Sequence, residues 1–264
     1  MMRWRPVRAV AIRQALVLRR SPHRLFDVTI WPLVDTLLFG SLAVFFARSG
    51  GSAGESGAGY LIAGVLLWHV VYQAQIALAT GFLEETWSRN VLSLMVTPMS
   101  EAEWVAGVVA FGLVKLVMGV GAVAVMVGVL YAFDVTSLGL ALLPIVAVLL
   151  AAGWAVAMFV IGMVLRFGTG AEALAWGILF VVMPLSGAFY PVDALPGALQ
   201  PVAAILPTTH AFAAARAVLD GEGTPWDTLG LAGITTLLAL AASVVFVRAM
   251  LTTFRRRGYV TRYS

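Results

Sequence analysis

The 264-residue chain contains no cysteine, which excludes disulfides, thiolate nucleophiles and cysteine-ligated metals. Charge is scarce as well. Asp, Glu, Lys and Arg make up 11% of the residues, against about 25% in an ordinary soluble domain. Lysine occurs once, at Lys115, and no Gly-x-x-x-x-Gly-Lys phosphate loop can be drawn, so the chain cannot bind and split ATP by that route. The three histidines, His23, His69 and His210, show no metal-ligand spacing, and no metal is assigned. No serine or threonine occupies a nucleophile elbow, and Glu84-Glu85 reads as a loop pair rather than two opposed acids. No catalytic residue follows, and the chain is not expected to be an enzyme.

What is present is apolar. Hydrophobic residues form 61% of the chain, more than a soluble fold of this size can hide. They fall into six runs, at about 28–47, 59–80, 104–132, 138–165, 172–190 and 228–251. Each approaches the roughly 20 residues that cross a hydrocarbon core of about 30 Å at 1.5 Å per residue. The expectation is one all-α integral membrane domain with six transmembrane helices.

The net charge of +4 is organised by position. Arg3, Arg5, Arg8, Arg13, Arg19, Arg20 and Arg24 precede the first run, and Arg255, Arg256, Arg257 and Arg262 follow the last. An even number of crossings puts both termini on one side. With the termini in the cytoplasm, inner segments hold 14 of the 17 basic residues and outer ones only Arg48 and Arg216. That asymmetry is the positive-inside signature rather than a nucleic-acid surface. About 25 polar and basic residues before the first apolar run also exclude a cleavable signal peptide at this start.

Residues 3–22 read as an interfacial amphipathic helix. At 100° per residue Arg5, Arg8, Arg13, Arg19 and Arg20 share an arc of about 140°, with Trp4, Val7, Val10, Ala11, Val17 and Leu18 opposite. Anionic lipid and apolar burial hold such a helix at the headgroups, and a disordered basic tail is the alternative. Residues 49–58, rich in Gly and Ser, read as a flexible outer loop. The largest inner loop spans 81–103 and ends in a capping box, Ser100 with Glu103. Its polar-apolar stretch suits either a docking helix or a plain connection.

Prolines then break the apolar pattern. Pro184 and Gly187 weaken the fifth run, and Pro191, Pro196, Pro201 and Pro207 recur through an apolar stretch ending at Thr208-Thr209-His210. Prolines so spaced forbid one continuous helix, while apolarity argues against a solvated loop. Two short re-entrant helices over 189–213 fit both constraints, a surface lid being the alternative. Asp35 and Lys115 fall inside predicted spans, where a central charge costs at least about 2.5–3.5 kcal/mol. They line a substrate or proton path, or they pair with each other or with backbone carbonyls. His69, Gln73 and Gln75 invite the same two readings.

The stretch Ser186-Gly187-Ala188-Phe189-Tyr190-Pro191-Val192-Asp193-Ala194-Leu195-Pro196, continued by Leu206-Pro207-Thr208-Thr209-His210 and Arg216, resembles the signature between the fifth and sixth spans of ABC type-2 exporter permeases. The N-terminal helix, the span order and the loop from Glu84 to Ser100 extend the resemblance over nearly the whole chain. It implies a plasma-membrane permease subunit of a prokaryotic type, paired with a second permease, identical or homologous, and with two ABC ATPase subunits that carry ATP and Mg. No cofactor is implied on this chain. By resemblance, Glu84, Glu85, Trp87, Arg89, Asn90 and Leu92 belong to a coupling helix that docks on the ATPase. Phe189, Tyr190, Pro191, Pro196, Pro207 and His210 belong to an outer gate. Many members carry Gly-Thr where this chain has Trp87-Ser88-Arg89-Asn90, which weakens any transfer of cargo identity. The implied activity is ATP-driven export, by alternating access, of an amphipathic or lipid-linked cargo of the drug, glycolipid or polysaccharide class. A partner-independent proton-coupled carrier and a membrane enzyme acting on lipids are the alternatives.

Overall fold

A computed structural model of the chain describes residues 3–88, 90 and 96–257. The expected coupling residues Arg89 and Leu92 lie outside them. Among the described residues there is no strand. In chain order the helices are α1 (Trp4–Arg20), α2 (Pro22–Ser49), α3 (Gly51–Trp87), α4 (Glu101–Tyr131), α5 (Leu142–Phe167), α6 (Leu174–Leu185), α7 (Gln200–Ile205), α8 (Pro207–Leu219) and α9 (Trp226–Arg257). Short 3-10 turns precede α5, α6 and α7.

Among the described residues five helices are long and apolar enough to cross a membrane: α2, α3, α4, α5 with its preceding turn, and α9. The expected fifth run at 172–190 is instead the 12-residue α6, about 18 Å long at 1.5 Å per residue. It stops where Gly187 adopts φ +64°, a left-handed conformation that side chains with a Cβ disfavour. The proline-rich stretch beyond it breaks into a 3-10 turn at Val192–Ala194 and the separate helices α7 and α8, as the proline spacing requires.

Two expected loops are shorter than the composition suggests. Gly50 alone separates α2 from α3, so residues 51–58 are helical despite their glycines and serines. Continuous intrahelical bonding satisfies each backbone N–H along this stretch, and that gain outweighs the propensity cost of glycine. At its other end α3 runs on to Trp87, which makes Glu84 and Glu85 helical residues rather than a loop pair.

Helix α3 is the axis of the bundle. Of its most apolar window 83% is buried, against 22% for α2 and α4 and 11% for α9. The polarity of α3 explains its place. His69, Gln73, Gln75 and Glu85 are all buried, and turning them toward neighbouring helices spares them contact with lipid. Gln75 donates to the Ala175 carbonyl of α6 at 3.0 Å, a structural use of one intramembrane polar candidate. The outward faces of α2, α4 and α9 are lined by residues such as Phe45, Val117 and Leu237, suited to a hydrocarbon solvent.

Helix α1 follows the expected amphipathic pattern with one change. Val7, Val10, Gln14 and Leu18 form its buried stripe, seated against α4, so protein rather than headgroup alone covers this face. Trp4, expected on that face, is 73% exposed. Val10 and Phe254 of α9 belong to one apolar cluster, so the first and last helices meet at the same end of the bundle.

Candidate functional site

A cleft of about 660 Å³ runs along one side of α3, between α2, α4 and α6. The α3 residues that line it start at Val65 and end at Trp87. Their spacing of three and four confines them to an arc of about 160°, one face of the helix. Twenty-two residues at 1.5 Å give the cleft a reach of about 33 Å, close to the thickness of a hydrocarbon core.

Aromatic pairs stand at both ends. At one end Phe39 of α2 stacks on Phe189 of the proline-rich segment, with ring centroids 4.4 Å apart and planes 7° from parallel. At the other, Trp87 and Trp176 of α6 lie 6.5 Å apart and within 6° of parallel. Trp87 Nε1 also donates to Glu172 Oε2 at 2.9 Å, tying the end of α3 to the start of α6. Glu172 Oε1 is buried and has no hydrogen-bond partner among the described residues.

Polar groups interrupt the wall between these pairs. The intramembrane candidates Asp35, His69 and Lys115 all line the cleft, together with Gln73 and Glu84. His69 Nδ1 lies 2.8 Å from the Val65 carbonyl, which can only accept, so this nitrogen carries the proton. Nε2 then faces Asp35 Oδ2 at 3.7 Å, within ion-pair range but beyond a hydrogen bond. Asp35 thus meets His69 across the α2–α3 boundary, while the Lys115 ammonium lies 5.6 Å from the Phe111 ring centre. Trp31, Trp68, Trp176 and Glu172 were not singled out from the sequence. For Trp68 a period of three to four in the aromatic and polar residues of α3 was the available signal; the other three lie on other segments and carry none.

The two ends of the cleft differ in what holds them. At the Trp87 end, the Arg13 guanidinium of α1 donates to the Glu85 carboxylate, and Asn90 Nδ2 donates to Glu85 Oε2 at 2.7 Å. Arg3 binds Glu103 through its backbone N–H at 2.8 Å and its guanidinium at 3.0 Å, and also reaches the Pro98 carbonyl. Glu103 completes the expected capping box, since Ser100 Oγ accepts from the Glu103 N–H at 3.2 Å and Glu103 Oε2 from the Ser100 N–H at 3.0 Å. Helix α1 is thereby clamped to both ends of the segment that joins α3 to α4. Of the expected coupling residues, the structure brings Glu85 and Asn90 together and sets Glu84 and Trp87 in the cleft.

At the Phe189 end the residues expected to form a gate are stitched by backbone contacts. Tyr190 Oη donates to the Pro184 carbonyl at 2.9 Å, and His210 Nε2 lies 2.9 Å from the Ala204 carbonyl. Arg216 donates to the Gly187 carbonyl, and Tyr60 Oη to the Asp220 carboxylate. The Ala188 carbonyl presses so closely on Gly64 of α3 that no Cβ fits there. Of the gate residues, Phe189 alone reaches the cleft wall; Pro191 and Pro196 frame the 3-10 turn, and Pro207 opens α8. On the neighbouring turn, the Thr136 hydroxyl and amide donate to Asp134 and hold its carboxyl below the usual range.

Among the described residues no group of His, Asp and Glu is arranged to hold a metal ion. A long polar-spotted cleft bracketed by aromatic pairs suits passage or binding rather than bond-making. A family model described as ABC-2 type transporter matches residues 5–219, more than half of the chain. The chain belongs to the ABC-2 type transporter family. It is therefore a multi-pass transmembrane subunit of an ABC transporter, of a kind that is generally non-catalytic and works with ABC ATPase subunits. The match covers α1 through α8 and ends before α9. No curated protein matches the sequence.

Proposed function

We propose that this ABC-2 subunit is the permease of an ATP-driven exporter in a prokaryotic-type plasma membrane, and that the cleft along α3 is its cargo path. The observation that carries this reading is the position of Trp87. It is the last residue of α3, next to the segment assigned to ATPase docking, and it also forms the inner wall of the cleft. A force applied to that segment acts directly on the inner aromatic pair. The same force reaches α1 through Arg13 and Arg3.

In this account six crossings are completed by α6 together with the outer segment, and the arginine-rich end of the bundle lies in the cytoplasm. Two permeases and two ATPases form the working unit. ATP binding draws the docking segments together, closes Trp87 on Trp176 and frees Phe39 from Phe189; release of the nucleotide reverses both. Cargo enters from the cytoplasm or inner leaflet. With this much apolar wall it is amphipathic or lipid-linked.

The test is reconstitution with the ATPase subunits. Replacing Trp87 through Leu92 by a Gly-Ser segment is expected to uncouple ATP hydrolysis from transport while the protein still inserts. Unchanged stimulation and transport would overturn the assignment. The Asp35–His69 contact keeps a proton-coupled carrier as a second reading. If Asp35→Asn with His69→Gln abolishes a pH-gradient-driven uptake by the chain alone, that reading replaces the first.

A further inference from the structure

Resting on the reading of the cleft as a cargo path, we propose that its cargo is an organic cation with a flat or bulky aromatic body. Two features of the wall converge on this class.

The first is aromatic density. Eight of the 18 lining residues are Phe, Tyr or Trp, whereas aromatics make up 11% of the chain. Four of the protein's eight tryptophans stand there: Trp31, Trp68, Trp87 and Trp176. Tryptophan has the strongest attraction for a cation over its ring face, and that attraction grows when water is excluded. Aromatic faces carry negative quadrupole charge and reject anions in the same position.

The second is the sign of the charged groups. Two acidic residues, Asp35 and Glu84, line the cleft against one basic residue, Lys115. Glu172 lies behind this wall, where its Oε2 accepts from Trp87 Nε1 at 2.9 Å and helps to fix that ring. A site built for phosphate shows the opposite pattern: several Arg or Lys side chains or a cradle of backbone N–H groups. Here the lining holds one lysine and no arginine beside eight aromatic rings.

Size agrees with charge. A volume near 660 Å³ holds a drug-sized molecule of several rings rather than an inorganic ion. The inner pair, Trp87 and Trp176, with Glu84 beside Trp87 on the same helix face, forms the first contact for a cation arriving from the cytoplasm. Asp35, further along α2, forms the second.

The probes are tetraphenylphosphonium and tetraphenylborate, which share size and shape and differ in the sign of the charge. Binding of each is measured to the full chain in nanodiscs, above the background of empty nanodiscs. Tetraphenylphosphonium is expected to bind saturably and tetraphenylborate is not. Asp35→Asn and Glu84→Gln, which conserve shape, are each expected to weaken tetraphenylphosphonium roughly tenfold, the worth of about 1.4 kcal/mol. Because the chain lacks cysteine, Thr80→Cys can be capped with a bulky maleimide to fill the cleft, and capping is expected to abolish binding. Equal binding of both ions, blocked by capping, overturns the cation preference while leaving the cleft as a binding site. Tetraphenylphosphonium binding that survives both substitutions likewise overturns it. Binding indifferent to capping, or no saturable binding of either ion, overturns the cleft itself as the site.

Discussion

The inner clamp on α1 makes an asymmetric prediction. The Glu85 side chain is 1% exposed, whereas its partner Arg13 is 43% exposed. Removing the arginine and removing the acid are therefore different perturbations. Arg13→Ala strands a buried carboxylate with Asn90 as its remaining described donor. Breaking a fully buried pair from one side costs about 3–5 kcal/mol. Water at the exposed guanidinium reduces this, so a loss of about 2–3 kcal/mol is expected. Glu85→Gln keeps the shape and the Asn90 contact and lets the guanidinium turn into water. Its cost should be about 0.5–1 kcal/mol. With the charge already gone, adding Arg13→Ala should cost little more. The double variant should thus show a coupling of nearly the full loss, about 2–3 kcal/mol. Reversible unfolding in mixed detergent micelles, monitored by helix content, measures all three. Equal losses for the two single variants, adding without coupling in the double, would refute the reasoning that burial of Glu85 dominates.

Three further outcomes follow from the geometry. Gly187→Ala forces a Cβ into φ +64°, 3.2 Å from both the Tyr190 carbonyl and Val192; a loss of about 1–2 kcal/mol and faster proteolysis between α6 and α7 are expected in detergent. Gln75→Leu removes the link to the Ala175 carbonyl, and at about 0.6 kcal/mol, with an upper bound near 1.7, it should destabilise modestly in the same unfolding assay. Tyr60→Phe removes the donor to Asp220 and should raise hydrogen exchange at the end of α8 without slowing ATP hydrolysis; unchanged exchange would remove this contact from the outer closure.

Much of this architecture could be read from residues. The apolar runs mark α2, α3, α4, α5 and α9 because lipid imposes both length and apolarity on a crossing helix. Ser100 and Glu103 mark the start of α4 because a capping box is a local hydrogen-bond pattern. The recurring prolines give α7 and α8 because proline removes a donor wherever it stands. Residues 51–58 were misread, since glycine and serine signal a loop, and continuous intrahelical bonding outweighs that signal here. The shortness of α6 was not legible, because apolarity continues past Leu185 while the helix stops at a backbone conformation. The cleft was visible only in fragments. Asp35, His69 and Lys115 were each conspicuous, but their assembly depends on how α2, α3 and α4 face one another. Glu172 drew no notice because its role comes from Trp87, 85 positions away in the chain.

The central claim is that a separate ATPase moves this cleft between inward and outward access. The direct measurement is the rate at which Thr80→Cys, the sole thiol in the chain, is alkylated by a membrane-impermeant maleimide from the cytoplasmic side. It is read in the complex with the ATPase subunits, with and without trapped ATP. The account predicts rapid alkylation without nucleotide and a sharp fall when ATP is trapped. A rate that ignores nucleotide, with transport still proceeding, would contradict it.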